Sequence, residues 1–147
     1  MKIEEIKSCI EEVKSLLPME ELSTEENIYI ISVIDKIRKI IDKAESADTF
    51  EECSMLVKRI DSIVKRTTRK TDIKHNMSNH YKTYWKKAGV SLILWNFYII
   101  HPDDENKIEE FPIANASEAK KYAIKSIPLL ALSFIYDISV YLESKAT

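Results

Sequence analysis

Apolar residues recur every three or four positions through the first half of the chain, which predicts three successive amphipathic helices. The first stripe covers residues 3–17 and stops at Pro18. The second and third each follow a capping-box sequence, Ser23 to Glu26 and Asp48 to Glu51, in which a side-chain oxygen and a glutamate satisfy the first backbone amides. Three such helices with short polar connections are typical of an antiparallel bundle.

The pattern is less regular in the next part of the chain. Apolar residues become sparse between residues 67 and 79 and return on one helical face over residues 81–99. Residues 90–100 are apolar all round and rich in β-branched and aromatic side chains, so they also suit a buried strand. In that alternative, residues 107–113 form the second strand of a hairpin, confined to an edge by Pro112. We favour a helix because the chain has a single glycine to make turns.

The last stripe covers residues 116–142 after a cap at Asn115 to Glu118, and Pro128 is expected to kink or split this helix. The helix is apolar on most sides, which indicates a central position or a homodimer interface. We therefore predict a single helical domain over residues 1–147, an all-α antiparallel bundle of about five helices. The alternative is an α+β fold with one hairpin at residues 90–113.

Composition narrows the function classes. A single glycine excludes the glycine-rich phosphate loops of nucleotide-binding proteins. The two cysteines are far apart with no histidines at matching spacing, so we predict no metal site, no cofactor and a reducing compartment. The longest apolar runs are shorter than the roughly 18 residues of a membrane span, which predicts a cytoplasmic protein without membrane contact. The abundance of lysine and isoleucine is typical of AT-rich microbial or phage genomes.

Charge is strongly segregated along the chain. Residues 1–57 have a net charge of −7, residues 58–87 of +8, and residues 88–147 of −3. Two interpretations are open. The basic segment either forms ion pairs with the acidic first and second helices, each of small energetic value, or faces outward and binds a polyanion or an acidic protein surface.

The second interpretation makes the cations and histidines of this segment the candidate binding residues: Lys65, Arg66, Arg69, Lys70, Lys74, His75, His80, Lys82, Lys86 and Lys87. Tyr81, Tyr84 and Trp85 either stack on nucleic-acid bases or complete a core-facing stripe. The sequence predicts a non-enzymatic helical interaction protein, an adaptor or inhibitor, whose partner is an acidic protein or RNA/DNA.

One pattern suggests catalysis instead. Arg69 and His75 are separated by five residues, which resembles the R-x(4–6)-H signature of the HEPN superfamily, small all-α domains many of which cleave RNA as dimers. The resemblance covers seven residues and implies that Arg69 stabilises the scissile phosphate while His75 assists proton transfer. Residues six apart on a regular helix diverge by about 120°, so convergence requires a bend or a dimer partner.

Overall fold

The computed structural model describes residues 2–75, 79–102 and 113–146. These residues form five helices and, within those ranges, no strand. The prediction of an all-α bundle of about five helices is confirmed. The helices are α1 (Ile3–Lys14), α2 (Thr24–Ser46), α3 (Phe50–Lys70), α4 (Asn79–Ile100) and α5 (Ala116–Ala146).

The central helix is α5, which packs against all four other helices, while α4 lies mainly against α5. Its side chains Ile127, Leu130, Phe134 and Ile138 are fully buried at helical spacing. The helix continues through Pro128, so this proline does not split it, and the other expected outcome, a kink, stays a prediction. By length and composition alone α5 is apolar enough to cross a membrane, but 61% of its most apolar window is buried within the bundle, as in the core helix of a soluble protein.

Two polar contacts show the relative directions of the helices. Near the start of α1, Lys7 bonds Asp42 near the end of α2 at 2.9 Å, so these two helices are antiparallel. Near the end of α5, the Tyr141 hydroxyl donates to Glu26 at the start of α2 at 2.6 Å, which makes that pair antiparallel as well. Burial, followed by this hydrogen bond, raises the pKa of Tyr141.

The observed N-terminal caps of the helices agree with the predicted capping sequences except in two respects. Ser23 accepts a hydrogen bond from the Glu26 amide, as predicted, but the Glu26 carboxylate binds Tyr141 instead of reaching back. Helix α3 begins one residue later than predicted, because the hydroxyl that caps it belongs to Thr49 rather than to Asp48, whose carboxylate pairs with Lys120 of α5. The first helix is also shorter than residues 3–17, because it ends at Lys14.

Residues 90–100 are helical, so the alternative of a hairpin at residues 90–113 is wrong. One face of this part of α4 is buried, with Leu94, Trp95 and Tyr98 in the core. The opposite face exposes apolar side chains, Ile93 being 69% and Ile100 61% exposed. These exposed isoleucines hide the helical period in the sequence, and this explains the ambiguity.

The cap of α2 gives a first prediction. Replacing Ser23 with alanine is expected to lower the free energy of unfolding by about 1 kcal/mol, because the Glu26 amide loses its acceptor. Urea denaturation followed by circular dichroism measures this change. Ser8→Ala on the exposed side of α1 is the control and should leave the unfolding midpoint unchanged. Equal midpoints for both variants would show that the Ser23 cap contributes nothing.

Candidate functional site: a cationic groove between α2 and α3

The acidic and basic side chains of α2 lie mostly on different faces of the helix. Three of its acidic side chains form ion pairs with α1: Lys7 pairs with Glu45 at 2.8 Å as well as with Asp42, and Lys14 pairs with Asp35 at 2.7 Å. At the same contact between α1 and α2, Arg38 of α2 pairs with Glu11 of α1. These ion pairs neutralise Asp35, Asp42 and Glu45, whereas Glu25 and Glu26 in the first turn of α2 lie in a cleft with Arg69 and Lys70.

The lysines of α2 lie on the face next to these acids. Lys36, Lys39 and Lys43 recur at intervals of three and four residues, so they project from one face of α2 towards α3. Across from them, Arg59 and Arg66 lie seven residues apart on α3. Each row extends about 10 Å along its helix at 1.5 Å per residue.

The two rows border a groove of about 300 Å³, which we call the cationic groove. Among the residues that the structure describes, no acid lines it, and the five cations named above are all solvent-exposed. Within the part of the chain that the structure describes, none of the five forms an ion pair. Five uncompensated cations facing one depression create a positive potential that favours an anionic partner.

The floor of the groove is mainly apolar. Val33 and Ile40 of α2 form its base, and the half-buried Ile63 and Tyr29 form its sides. Thr67 also borders it; this side chain is 1% exposed, and its hydroxyl has no hydrogen-bond partner among the described residues. A buried hydroxyl without a partner is uncommon in folded proteins, so this position has unused hydrogen-bonding capacity next to the groove.

A second cleft adjoins the groove at Tyr29, but its charges are mixed. Arg69 and Lys70 line it together with Glu25, Glu26 and Asp72. The Lys70 ammonium lies over the Tyr29 ring, 5.4 Å from its centroid. Carboxylates here offset the two cations, so this cleft lacks the single-signed charge of the cationic groove.

The predicted binding residues are therefore dispersed. Of the ten, Arg66 alone lines the groove. Lys65 bonds Asp61 at 2.8 Å, one turn away on α3, and Lys74 is exposed beyond the end of that helix. On α4, Lys82 and Lys86 are exposed, while the Lys87 ammonium lies 5.7 Å from the Tyr84 ring centroid. The side chain of His80 lies outside the described residues.

His75 faces the protein interior. Its Nδ1 lies 2.6 Å from the Asp137 carboxylate of α5, and the two side chains are 13% and 4% exposed. Its ring also meets the edge of Phe134, with centroids 5.7 Å apart. The Arg69 guanidinium is exposed and donates to the Lys65 carbonyl. The two residues of the HEPN-like pattern thus have different partners, and RNA cleavage stays a prediction.

The aromatic residues of the basic segment also lie away from the cationic groove where the structure describes them. Tyr84 is half-buried, Trp85 is 39% exposed, and the side chain of Tyr81 lies outside the described residues. The aromatic side chains of α4 that enter the core are Trp95 and Tyr98, further along the helix. Neither Tyr84 nor Trp85 lines the cationic groove.

Potential metal ligands are dispersed in the described residues. Among residues 2–75, 79–102 and 113–146, no group of three or more His, Cys, Asp or Glu side chains is arranged to hold a metal ion. Both cysteines are free, Cys9 half-buried and Cys53 fully buried. Burial, with a smaller effect of the neighbouring Glu52, raises the pKa of the Cys53 thiol to about 11.

This difference in burial predicts one reactive thiol per chain. An aromatic disulfide reagent at pH 8 is expected to label Cys9 rapidly and Cys53 only after unfolding, because the reaction requires an accessible thiolate. Absorbance of the released thiol counts the labelled cysteines. In Cys9→Ser the rapid phase should disappear. Two rapid phases in the native protein would contradict the burial of Cys53.

The sequence interpretation missed Lys36, Lys39, Lys43 and Arg59. The first three lie in a segment whose net charge is −7, so averaging along the chain concealed them. The signal that could have found them is their shared helical face, since three lysines at intervals of three and four residues point the same way. The alternative that the basic segment pairs with the acids of helices one and two does not hold for Arg59 and Arg66, which form no ion pair among the described residues. At the end of α3, Arg69 and Lys70 do lie in one cleft with Glu25 and Glu26 of α2.

Comparisons of the chain with protein-family models, with curated proteins and with solved structures give no match.

Proposed function

We propose that this protein is a non-enzymatic interaction protein, of the adaptor or inhibitor type, that binds an anionic partner through the cationic groove. The observation that carries this proposal is the set of five exposed cations, without an acid among them, that lines one depression between α2 and α3. Exposed like charges held side by side repel one another. An anionic partner relieves that repulsion, and the gain adds to the direct attraction between partner and groove.

The proposal changes the location of the binding surface. The sequence pointed to residues 58–87, whereas the groove combines two of its arginines with three lysines of α2. The remaining cations of α3 extend the positive surface outward from the groove and would increase the association rate more than the affinity. Self-association through α5 is a separate prediction: most of that helix is buried, although Tyr136 and Val140 remain exposed.

Charge reversal in the groove tests the proposal. The double variant Arg59→Glu/Arg66→Glu is expected to weaken binding to immobilised polyglutamate or single-stranded RNA at least tenfold at low salt, because it converts two attractive contacts into repulsive ones. Biolayer interferometry at two salt concentrations measures the affinity, which should fall as salt rises.

The single variant Arg59→Glu has as its matched control Lys58→Glu, which changes the net charge by the same amount at a neighbouring exposed residue that does not line the groove. The effect of Lys58→Glu should stay below threefold and below that of Arg59→Glu. The proposal fails if neither polyanion binds the wild-type protein, or if Lys58→Glu weakens binding as much as Arg59→Glu does.

A further inference from the structure

The groove has a shape that suits one class of partner. It lies between two antiparallel helices, since Lys70 near the end of α3 lies over Tyr29 near the start of α2. Side chains of a third helix fit naturally into the furrow between two packed helices, as they do within helical bundles. The cation rows extend about 10 Å, which corresponds to about two turns of such a helix.

The distribution of charge and apolar surface within the groove further restricts the class of partner that it can bind. The apolar floor runs along the middle, and the cations stand on both sides of it, lysines on α2 and arginines on α3. A helix with one apolar stripe flanked on both sides by carboxylates is complementary to this arrangement. Its apolar side chains would contact Ile63 and Tyr29 above the base, and its carboxylates would pair with Lys36, Lys43, Arg59 and Arg66.

A nucleic acid fits the groove less well. Single strands bind through phosphate contacts combined with bases stacked on exposed aromatic rings. The one aromatic side chain in the groove, Tyr29, is half-buried, and the Lys70 ammonium already lies over its ring. A phosphate backbone also makes no apolar contact with the partly exposed Ile63, whereas the apolar face of an amphipathic helix does.

We infer that the cationic groove binds an acidic amphipathic helix of a partner protein, with the apolar face of that helix against Ile63 and Tyr29 and its carboxylates against the α2 and α3 cations. This inference rests on the proposed function and specifies the partner class. Val33 and Ile40 are each only 3% exposed, so the apolar contact is shallow. Charge pairing therefore contributes much of the affinity, and binding is expected to be salt-sensitive.

The experiment uses fluorescein-labelled peptides and fluorescence anisotropy with the full chain. The first peptide, of about 20 residues so that a helix can form, carries leucines on one helical face and glutamates on both flanks. The second keeps every glutamate but replaces each leucine with glutamine. The third probe is a single-stranded RNA of similar length. The first peptide is expected to bind at least tenfold more tightly than the other two probes.

The same variants locate the binding site. Arg59→Glu/Arg66→Glu is expected to weaken binding of the first peptide at least tenfold, whereas Lys58→Glu should change it less than threefold. Circular dichroism of each variant confirms that the helices are intact.

The outcomes separate the two proposals. If the glutamine peptide binds as tightly as the leucine peptide, or if RNA binds more tightly than both, the inference is overturned while the proposed anion-binding function stands. If the double variant binds the leucine peptide as well as wild type does, the helix binds elsewhere and the inference is overturned. If no anionic probe binds, both proposals fail.

Discussion

Replacing His75 with alanine is expected to lower the free energy of unfolding by about 3 kcal/mol, because it leaves the Asp137 carboxylate buried without its imidazole partner. The Asp137 side chain is 4% exposed, so water cannot readily replace the lost hydrogen bond. The pair also fixes the segment that follows α3 onto α5, 62 residues further along the chain. Urea denaturation at neutral pH measures the loss.

Two further variants identify the cause. Asp137→Asn retains an oxygen that can accept the His75 hydrogen bond. It should therefore lower the free energy of unfolding by less than His75→Ala does. In His75→Phe/Asp137→Leu both polar groups are replaced by apolar ones, and most of the stability should return, because no polar atom is left without a partner. A His75→Ala protein within about 1 kcal/mol of wild type would show that the pair contributes little.

Replacing Phe134 with alanine is expected to lower the free energy of unfolding by about 4 kcal/mol, because it leaves a cavity at the centre of the bundle. Phe134 is fully buried on α5 and its ring meets the His75 ring edge. The matched control is Tyr136→Ala, two residues away on the same helix and 61% exposed, which should change stability by less than about 0.5 kcal/mol.

Thermal unfolding followed by circular dichroism distinguishes the two aromatic variants. A large loss for Tyr136→Ala with little change for Phe134→Ala would place the opposite face of α5 in the core. Because Phe134 and His75 are in contact, their single substitutions are not expected to add. A double variant therefore measures how far the aromatic contact supports the His75–Asp137 pair.

The fold was largely predictable because its information is local. Helices α1, α2 and α3 each bury a stripe at helical spacing, and α5 is buried on most of its sides. Ser23 and Asn115 cap helices where the sequence indicates. Helix α4 was ambiguous for a physical reason: exposed isoleucines such as Ile93 give its sequence an apolar character all round.

The site was less predictable because it depends on which faces meet. The cationic groove combines α2 lysines with α3 arginines that are some 20 residues apart in the chain. Its positive charge also depends on the ion pairs that Asp35, Asp42 and Glu45 of α2 form with α1. The orientation of His75 depends on Asp137, which in the sequence only interrupts an apolar run. Neither relation is encoded in the spacing of neighbouring residues.

The position of α5 in the chain has a consequence for biosynthesis. This helix packs against all four others and follows them in sequence. While a ribosome is still adding residues 116–146, α1 to α3 can pair locally, but the side chains that meet Phe134 and Leu130 have no partner to cover them. The nascent chain is therefore expected to expose apolar surface until α5 emerges, and such surface is what chaperones bind during translation.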